Sequence, residues 1–346
     1  MVPAIAVADA LRAEGAEVAF IGGERAEAQL VPAAGFALHT IHVEGLSRSN
    51  PLRALRALAR AAVALPRARA LLKQLAPDAV MGGGGYVAGP VGVAALSLRI
   101  PLVLTEADSH IGLTNRLLAR FARRVCLAFA LPSRSGERYL VTGRPIPKPA
   151  DDREQARRRF GIEPDETCVL IFGGSLGARS INVAAIEAFT AGLSPNGAEA
   201  PRRVRVLHVS GRRDHAQLAA RELPAGYDLR DYLDLADFAD ALAASDLVVA
   251  RSGGSVFEIA AYGLPAILVP YPHASADHQS ANARWMADAG AALVIADAQL
   301  NAHSLGAALA ALLGDRERLA AMASASAALA RPHAAQDVAR ELLEAT

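Results

Sequence analysis

The sequence predicts an α/β protein made of two doubly wound parallel sheets, and three observations lead there. Apolar residues make up 52% of the 346-residue chain but aromatic ones only 5%. Its cores are therefore built from Ala, Val, Leu and Ile, which suits buried parallel strands covered by alanine-rich helices. Short strand-like runs alternate with Ala- and Leu-rich helical stretches in two successive sets. Between the sets lies VTGRPIPKPADD, whose Pro145, Pro147 and Pro149 make a stiff extended connector. A chain of this length has room for two cores of ordinary size. An N-terminal unit is expected over residues 1–145 and a C-terminal unit over residues 146–346.

The chain opens MVPAIAVADALRAEGAEVAFIGG. Ile5, Val7, Ala8 and Leu11 stand at helical spacing, with Pro3 where a first helical turn accepts it. Gly15 can cap that helix, and EVAFI then reads as a strand. ALHTIHV, DAVMG, PLVLT and VCLAFA complete the first set of strands; CVLIFGG, VRVLHVSG, LVVAR, AILVPYP and ALVI make the second. Ligands of such sheets lie beyond the carboxyl ends of the strands, so the crevice between the two halves is the expected site.

Several functional classes lose ground at this level. A net charge of +1 gives no pointer to nucleic acid, and no nucleic-acid partner is expected. Cys126 and Cys168 lie far apart in apolar runs, allow neither a disulfide framework nor zinc spacing, and suit a reducing cytoplasm as small core residues. The opening lacks the basic-then-apolar pattern of a secretory signal. The stretch 79–98 is uncharged and long enough to cross a bilayer, but its six glycines and one proline read as strand, loop and helix. No transmembrane segment is expected.

The glycine-rich strand ends carry the chemistry. In VMGGGGYVAGPVGVAAL, Gly83, Gly84, Gly85 and Tyr86 join a strand to an alanine-rich helix. Glycine lets the backbone approach a ligand, and the helix adds a positive dipole end for an anion. A tight turn without a ligand would explain one such loop equally well. In VLIFGGSLGARSIN, Gly173, Gly174, Ser175 and Gly177 could cradle a phosphate, with the Ser175 hydroxyl as a further donor. No Lys-Ser/Thr pair follows, so this is not a Walker loop, and no acid closes the next strand as a dinucleotide fingerprint requires. In LVVARSGGSVFEIAAYGLP, Gly254 and Ser255 lead into a helix whose Glu258 could hold a ribose diol, or could simply complement the helix dipole. His278, Gln279 and Asn282 in DHQSANA offer neutral polar groups for sugar hydroxyls. His273 and His278 lack metal-ligand spacing, and neither a metal nor a cofactor is expected.

Taken together, GGGGYVAGP, GLTN, GGSLGARSIN, RSGGSVFEIAAYGLP and DHQSANA, in that order, resemble the MurG family of glycosyltransferases. That family adds N-acetylglucosamine to the lipid-linked muramyl-peptide precursor of bacterial peptidoglycan. The resemblance runs from the first helix to about residue 295. It implies a GT-B fold, two Rossmann-like domains facing across a cleft, with UDP-N-acetylglucosamine held mainly by the C-terminal one. It assigns phosphate contacts to Ser175 and the amides around Gly254 and Ser255, the ribose carboxylate to Glu258, and a sugar-hydroxyl contact to Gln279. Leu235 in LADFADAL takes the uracil-facing backbone position. Gly83 to Tyr86 form the surface for the acceptor pyrophosphate, and Asn115 of GLTN joins the substrate site. Three departures stand out. TEAD replaces His-Glu-Gln-Asn, so Glu106 matches while Asp108 stands for an asparagine. GRPIP puts Pro147 where an arginine is usual, with Arg144 near enough to supply the charge. The loop before Glu258 is one residue short, and Leu176 replaces a glutamine.

The implied reaction is one inverting displacement in which the acceptor 4-hydroxyl attacks the anomeric carbon and UDP leaves. It needs a base and fixed donors for the developing pyrophosphate charge. Glu106 is the favoured base, with Asp108 and His110 as rivals, all just past the strand PLVLT. Helix N-termini at Ser175 and Ser255 suit the second task, in keeping with the absence of a D-x-D metal motif. Residues 46–77 carry six arginines, one lysine and no acid; Arg53, Arg56 and Arg60 share a helix face near Leu55, Leu58, Ala62 and Leu65. Such a helix can rest on an anionic membrane surface, so peripheral attachment at the cytoplasmic face of the cell membrane is expected. A solvated arginine face is the plainer explanation. Competing readings are a UDP-N-acetylglucosamine 2-epimerase of similar fold, a transferase for another lipid acceptor, and a UDP-sugar-binding protein with little activity.

The family begins with a strand and a Gly-Gly-Thr-Gly-Gly-His-like loop ahead of the helix that matches VPAIAVADAL. Neither precedes that helix in this sequence. Met1 is therefore expected to be a late start or a truncation, with a central strand missing from the first sheet and its neighbours' edges unpaired. On that expectation the C-terminal domain binds UDP while transfer is weak.

Overall fold

The computed structural model describes residues 1–24, 27–42, 51–131, 134–174, 177–192 and 203–346, with the backbone alone for 51–62 and 275. The chain divides into two compact units: Met1–Lys148 with Arg331–Thr346, and Pro149–Ala330.

The first unit runs α1 (Val2–Ala13), β1 (Ala19–Gly22), α2 (Glu27–Ala33), β2 (Ala37–Thr40), α3 (Pro51–Leu75), β3 (Val80–Gly82), α4 (Gly85–Ser97), β4 (Leu102–Glu106), α5 (Leu113–Leu118), β5 (Arg124–Leu127) and β6 (Tyr139–Val141). Its strands are all parallel but form two ladders, β1-β2 and β3-β4-β5-β6. No ladder joins β1 to β3 among the described residues, although α4 packs on both. Helix α1 also serves both ladders, because its short apolar residues point two ways. Ile5 and Ala8 meet Val31 and Phe36 beside β1 and β2, while Val7 packs with Val103 of β4 and Cys126 of β5.

The second unit runs α6 (Arg153–Arg159), β7 (Thr167–Phe172), α7 (Arg179–Thr190), β8 (Val204–Val209), α8 (Arg212–Ala219), β9 (Tyr227–Arg230), α9 (Leu235–Ala244), β10 (Leu247–Ala250), α10 (Val256–Ala261), β11 (Ala266–Leu268), α11 (His278–Asp288), β12 (Ala292–Val294), α12 (Ala302–Leu313) and α13 (Arg316–Ala328). Six parallel strands lie in the order β12-β11-β10-β7-β8-β9. The order reverses between β7 and β10, the switch point at which open α/β sheets leave a crevice for a ligand. Residues 168–172, β10 and β11 are buried throughout, as strands covered by helices on both faces must be.

One boundary needs correction. Residues 331–346 were expected in the C-terminal unit, yet α14 (Ala334–Leu343) belongs to the first. Its Val338, Ala339 and Leu342 close over Val7, Val103 and Cys126, so apolar surface on both sides draws the last helix back. Gly143 permits the return: its φ is +85°, and a Cβ there would stand 2.5 Å from that of Arg331. Strands β6 and β9 were also missed. Leu140 and Val141 are exposed, and YDLR is half-buried and polar, so neither carries a core-strand pattern.

Candidate functional site

In the second unit both expected phosphate loops open at the switch point. After β7 the chain passes Gly173 and Gly174 and turns at Gly177 into α7. Gly177 has φ +76°, and a Cβ there would lie 2.0 Å from the Ser210 carbonyl oxygen, so only glycine lets this loop sit against the end of β8. Ser175, the expected phosphate donor, and Leu176 lie outside the described residues.

A buried chain that sequence reasoning missed braces this loop. Asn182 Nδ2 donates to the Ser210 carbonyl at 2.9 Å, Asn182 Oδ1 lies 3.0 Å from His208 Nε2, and His208 Nδ1 lies 2.7 Å from Tyr227 Oη. Burial pushes the His208 pKa down to about 3, with the charge of His215 acting in the same direction. The ring is therefore neutral, and the partners fix its tautomer: Nε2–H donates to Asn182, and Nδ1 accepts from the Tyr227 hydroxyl. A lone histidine inside VRVLHV gives no such signal in sequence.

After β10 come Arg251 to Ser255 and then α10, with Gly254, Ser255 and Glu258 half-buried at the start of that helix. The Ser252 hydroxyl donates to the Gln279 carbonyl at 2.8 Å, tying this loop to α11. Gln279 Oε1 accepts from the Tyr271 amide at 2.9 Å, which turns Nε2 toward Gly253 as a remaining donor. Asn282 departs from its expected role. It is 1% exposed and donates to the Ser252 carbonyl at 3.0 Å, so it shapes the loop from beneath and is closed to a sugar. Leu235 opens α9 and is exposed, above a helix capped by Asp234.

In the first unit the expected acceptor-side residues gather beyond β3 and β4. Gly84 and Gly85 both have positive φ, and α4 already begins at Gly85, so Tyr86 belongs to its first turn. Glu106 ends β4. Its Oε2 accepts from the Gly112 amide at 2.8 Å and from Asn115 Nδ2 at 3.0 Å. Asn115 also donates to the Thr105 carbonyl and is 1% exposed, so it stands behind Glu106 instead of touching a substrate. Oε1 of Glu106 keeps no hydrogen bond among the described residues. Asp108 and His110 follow in the half-buried stretch to α5, and Arg144 Nη1 reaches the Ala107 carbonyl at 3.2 Å. The Gly83–Gly85 loop abuts the same residues: a Cβ on Gly84 would touch Asn115. Among the described residues no group of three His, Cys, Asp or Glu side chains could hold a metal ion.

The chain matches the glycosyltransferase family 28 N-terminal domain over residues 1–127 and the family 28 C-terminal domain over residues 168–338. It is 41% identical to the UDP-N-acetylglucosamine–N-acetylmuramyl-(pentapeptide) pyrophosphoryl-undecaprenol N-acetylglucosamine transferase of Rubrobacter xylanophilus, over 98% of both chains. It is 39% identical to the enzyme of that name from Moorella thermoacetica, over 99% of this chain and 95% of the relative. Among solved structures it is similar to Acinetobacter baumannii MurG, at 30% identity and a TM-score of 0.76 over 99% of this chain and 95% of that one. A UDP-GlcNAc 2-epimerase from Neisseria meningitidis superposes with a TM-score of 0.69 over 99% of this chain and 96% of that one at 13% identity, a likeness of fold alone.

Proposed function

The chain belongs to glycosyltransferase family 28, and on that premise we propose that it transfers N-acetylglucosamine from UDP-N-acetylglucosamine to the muramyl 4-hydroxyl of lipid I, giving lipid II for peptidoglycan. The observation that carries this reading is the pairing, in one chain, of two glycine loops at a switch point with a strand-end carboxylate on a separate sheet. The two loops suit a nucleoside diphosphate; the carboxylate suits a base.

In the second unit, Glu258 holds the ribose hydroxyls, Leu235 meets the uracil, and Gln279 Nε2 donates to the sugar. The amides around Gly174, Gly177, Gly254 and Ser255, with the Ser175 hydroxyl, receive the diphosphate. In the first unit, Oε1 of Glu106 takes the proton as the acceptor oxygen forms its bond to the anomeric carbon. The bond from that carbon to the diphosphate breaks, and its electron pair leaves on UDP. Oriented amides stabilise that charge without reorganising. Asp108 and His110 are the alternative bases. Arg144 supplies a cation beside them, and the Gly83–Tyr86 segment faces the acceptor pyrophosphate.

The lipid-borne acceptor calls for a membrane-facing surface, and an exposed stripe supports one. Leu113, Leu117 and Phe121 are 40%, 57% and 56% exposed, at four-residue intervals along and just past α5, with Arg116 and Arg120 beside them. Peripheral attachment to the cytoplasmic face follows from this reading. No described helix is long and apolar enough to cross a membrane. The arginine face expected at Arg53, Arg56 and Arg60 lies outside the described side chains. Incubation with radiolabelled UDP-N-acetylglucosamine and lipid I should yield lipid II. Epimerised sugar, or hydrolysis without transfer, would reject the assignment.

A further inference from the structure

One carboxylate outside every motif ties together three strand ends of the second unit. Asp297 lies in the short turn Asp297–Gln299 that follows β12. Its Oδ1 accepts from Ser180 Oγ at 2.7 Å and pairs with Arg251 Nη1 at 2.7 Å. Ser180 is in the first turn of α7, directly after the glycine loop. Arg251 is the first residue after β10 and heads the loop that leads to Glu258. The guanidinium reaches further. Nη2 donates to Ser180 Oγ at 2.9 Å, and Nη1 donates to the carbonyls of Val269 and Pro270 at 3.2 Å each. Its centre lies 5.4 Å from that of the Tyr271 ring, and the Tyr271 amide is the one that orients Gln279.

This arrangement is more than a surface ion pair. The Arg251 side chain is 11% exposed, and Asp297 is the only carboxylate paired with it among the described residues. A guanidinium taken so far out of water needs its counter-charge, and the hydrogen bonds fix where it points. Burial disfavours the Asp297 carboxylate. The hydrogen bonds from Ser180 and Arg251 and the charges of Arg251 and His273 outweigh that and hold its pKa below the usual value.

We propose that Asp297 is a positioning residue for the UDP-sugar: by fixing Arg251 and Ser180 together, it holds the loop before α7, the loop after β10 and the segment 269–271 in one arrangement. The proposal rests on the donor-site reading above and adds a residue that never touches the ligand. Its chemistry is specific to charge. An asparagine keeps an oxygen for Ser180 but leaves Arg251 without its counter-ion, whereas a glutamate keeps the charge on a longer arm.

The test uses the full chain, with UDP binding measured by calorimetry and melting followed in parallel. Asp297→Asn should weaken UDP about ten-fold, the scale of one lost charge-assisted hydrogen bond. Asp297→Glu should recover most of that loss. Equal UDP affinity in wild type and Asp297→Asn, or tighter binding in the variant, would overturn the proposal. So would equal losses in the Asn and Glu variants that track a lowered melting temperature, since that pattern belongs to folding alone. A wild-type chain that binds no UDP would instead reject the donor-site reading, and this proposal with it.

Discussion

Two glutamates do opposite work in the proposed reaction, and single substitutions separate them. Glu258 is half-buried near the start of α10, whose core contacts come from Val256, Phe257, Ile259 and Ala260. Replacing it leaves that packing in place. Glu258→Ala should therefore weaken UDP by about 1.5–3 kcal/mol, the range for hydrogen bonds to a charged group, and unchanged affinity in calorimetry would remove it from the ribose. Glu106 has its Oε2 occupied by Gly112 and Asn115, which aims Oε1. Glu106→Gln preserves an oxygen for both donors but cannot take a proton. Turnover should fall by about 10²–10⁴ while UDP affinity stays. A fall in UDP affinity without loss of turnover would make it a donor ligand instead of the base.

At the scale of elements, the His208 brace joins β8, β9 and α7 beside the glycine loop that follows β7, and it makes the second unit sensitive to acid. Folded His208 stays neutral with its pKa near 3, while the unfolded chain takes up a proton below the ordinary value of 6.5. Between those values the unfolded state binds more protons, so the brace contributes fully above about pH 6.5 and loses about 1.4 kcal/mol per unit as pH falls below it. Denaturant titrations from pH 7.5 to 5 should show that slope, and His208→Phe should flatten it; an unchanged slope in the variant would assign it to other groups. The brace also marks the limit of what sequence reveals. Buried strands such as LVVA and AIL and the glycine loops were legible because burial and turn geometry restrict residue type locally. Strands β6 and β9, half-exposed, lacked that restriction. Asn115 and Asn282 looked like ligand contacts because a polar side chain near a glycine loop reads the same whether it faces the ligand or supports the loop. The return of α14 depends on apolar residues some 330 positions away from Val7, which no local pattern encodes.

For the molecule as a whole, a net charge of +1 provides almost no long-range attraction to a membrane. The proposed attachment would then rest on a local surface, and α5 with the residues just past it offers both parts. Leu113, Leu117 and Phe121 present apolar area, and Arg116 and Arg120 are exposed next to them in the chain. Each basic residue near such a surface contributes about 1 kcal/mol, screened within a Debye length of about 10 Å at 0.1 M salt. The apolar side chains add a part that salt does not remove. Cosedimentation should therefore be stronger on vesicles containing anionic lipid than on neutral ones, and should fall, without vanishing, as salt rises. The double variant Leu117→Asp, Phe121→Asp replaces two exposed residues and disturbs no core packing. It should lose most vesicle binding while UDP affinity is retained, because the proposed donor residues belong to the other unit. Equal, salt-insensitive binding to neutral and anionic vesicles would contradict the electrostatic part. Wild-type binding by the double variant would shift attachment from α5 to another surface.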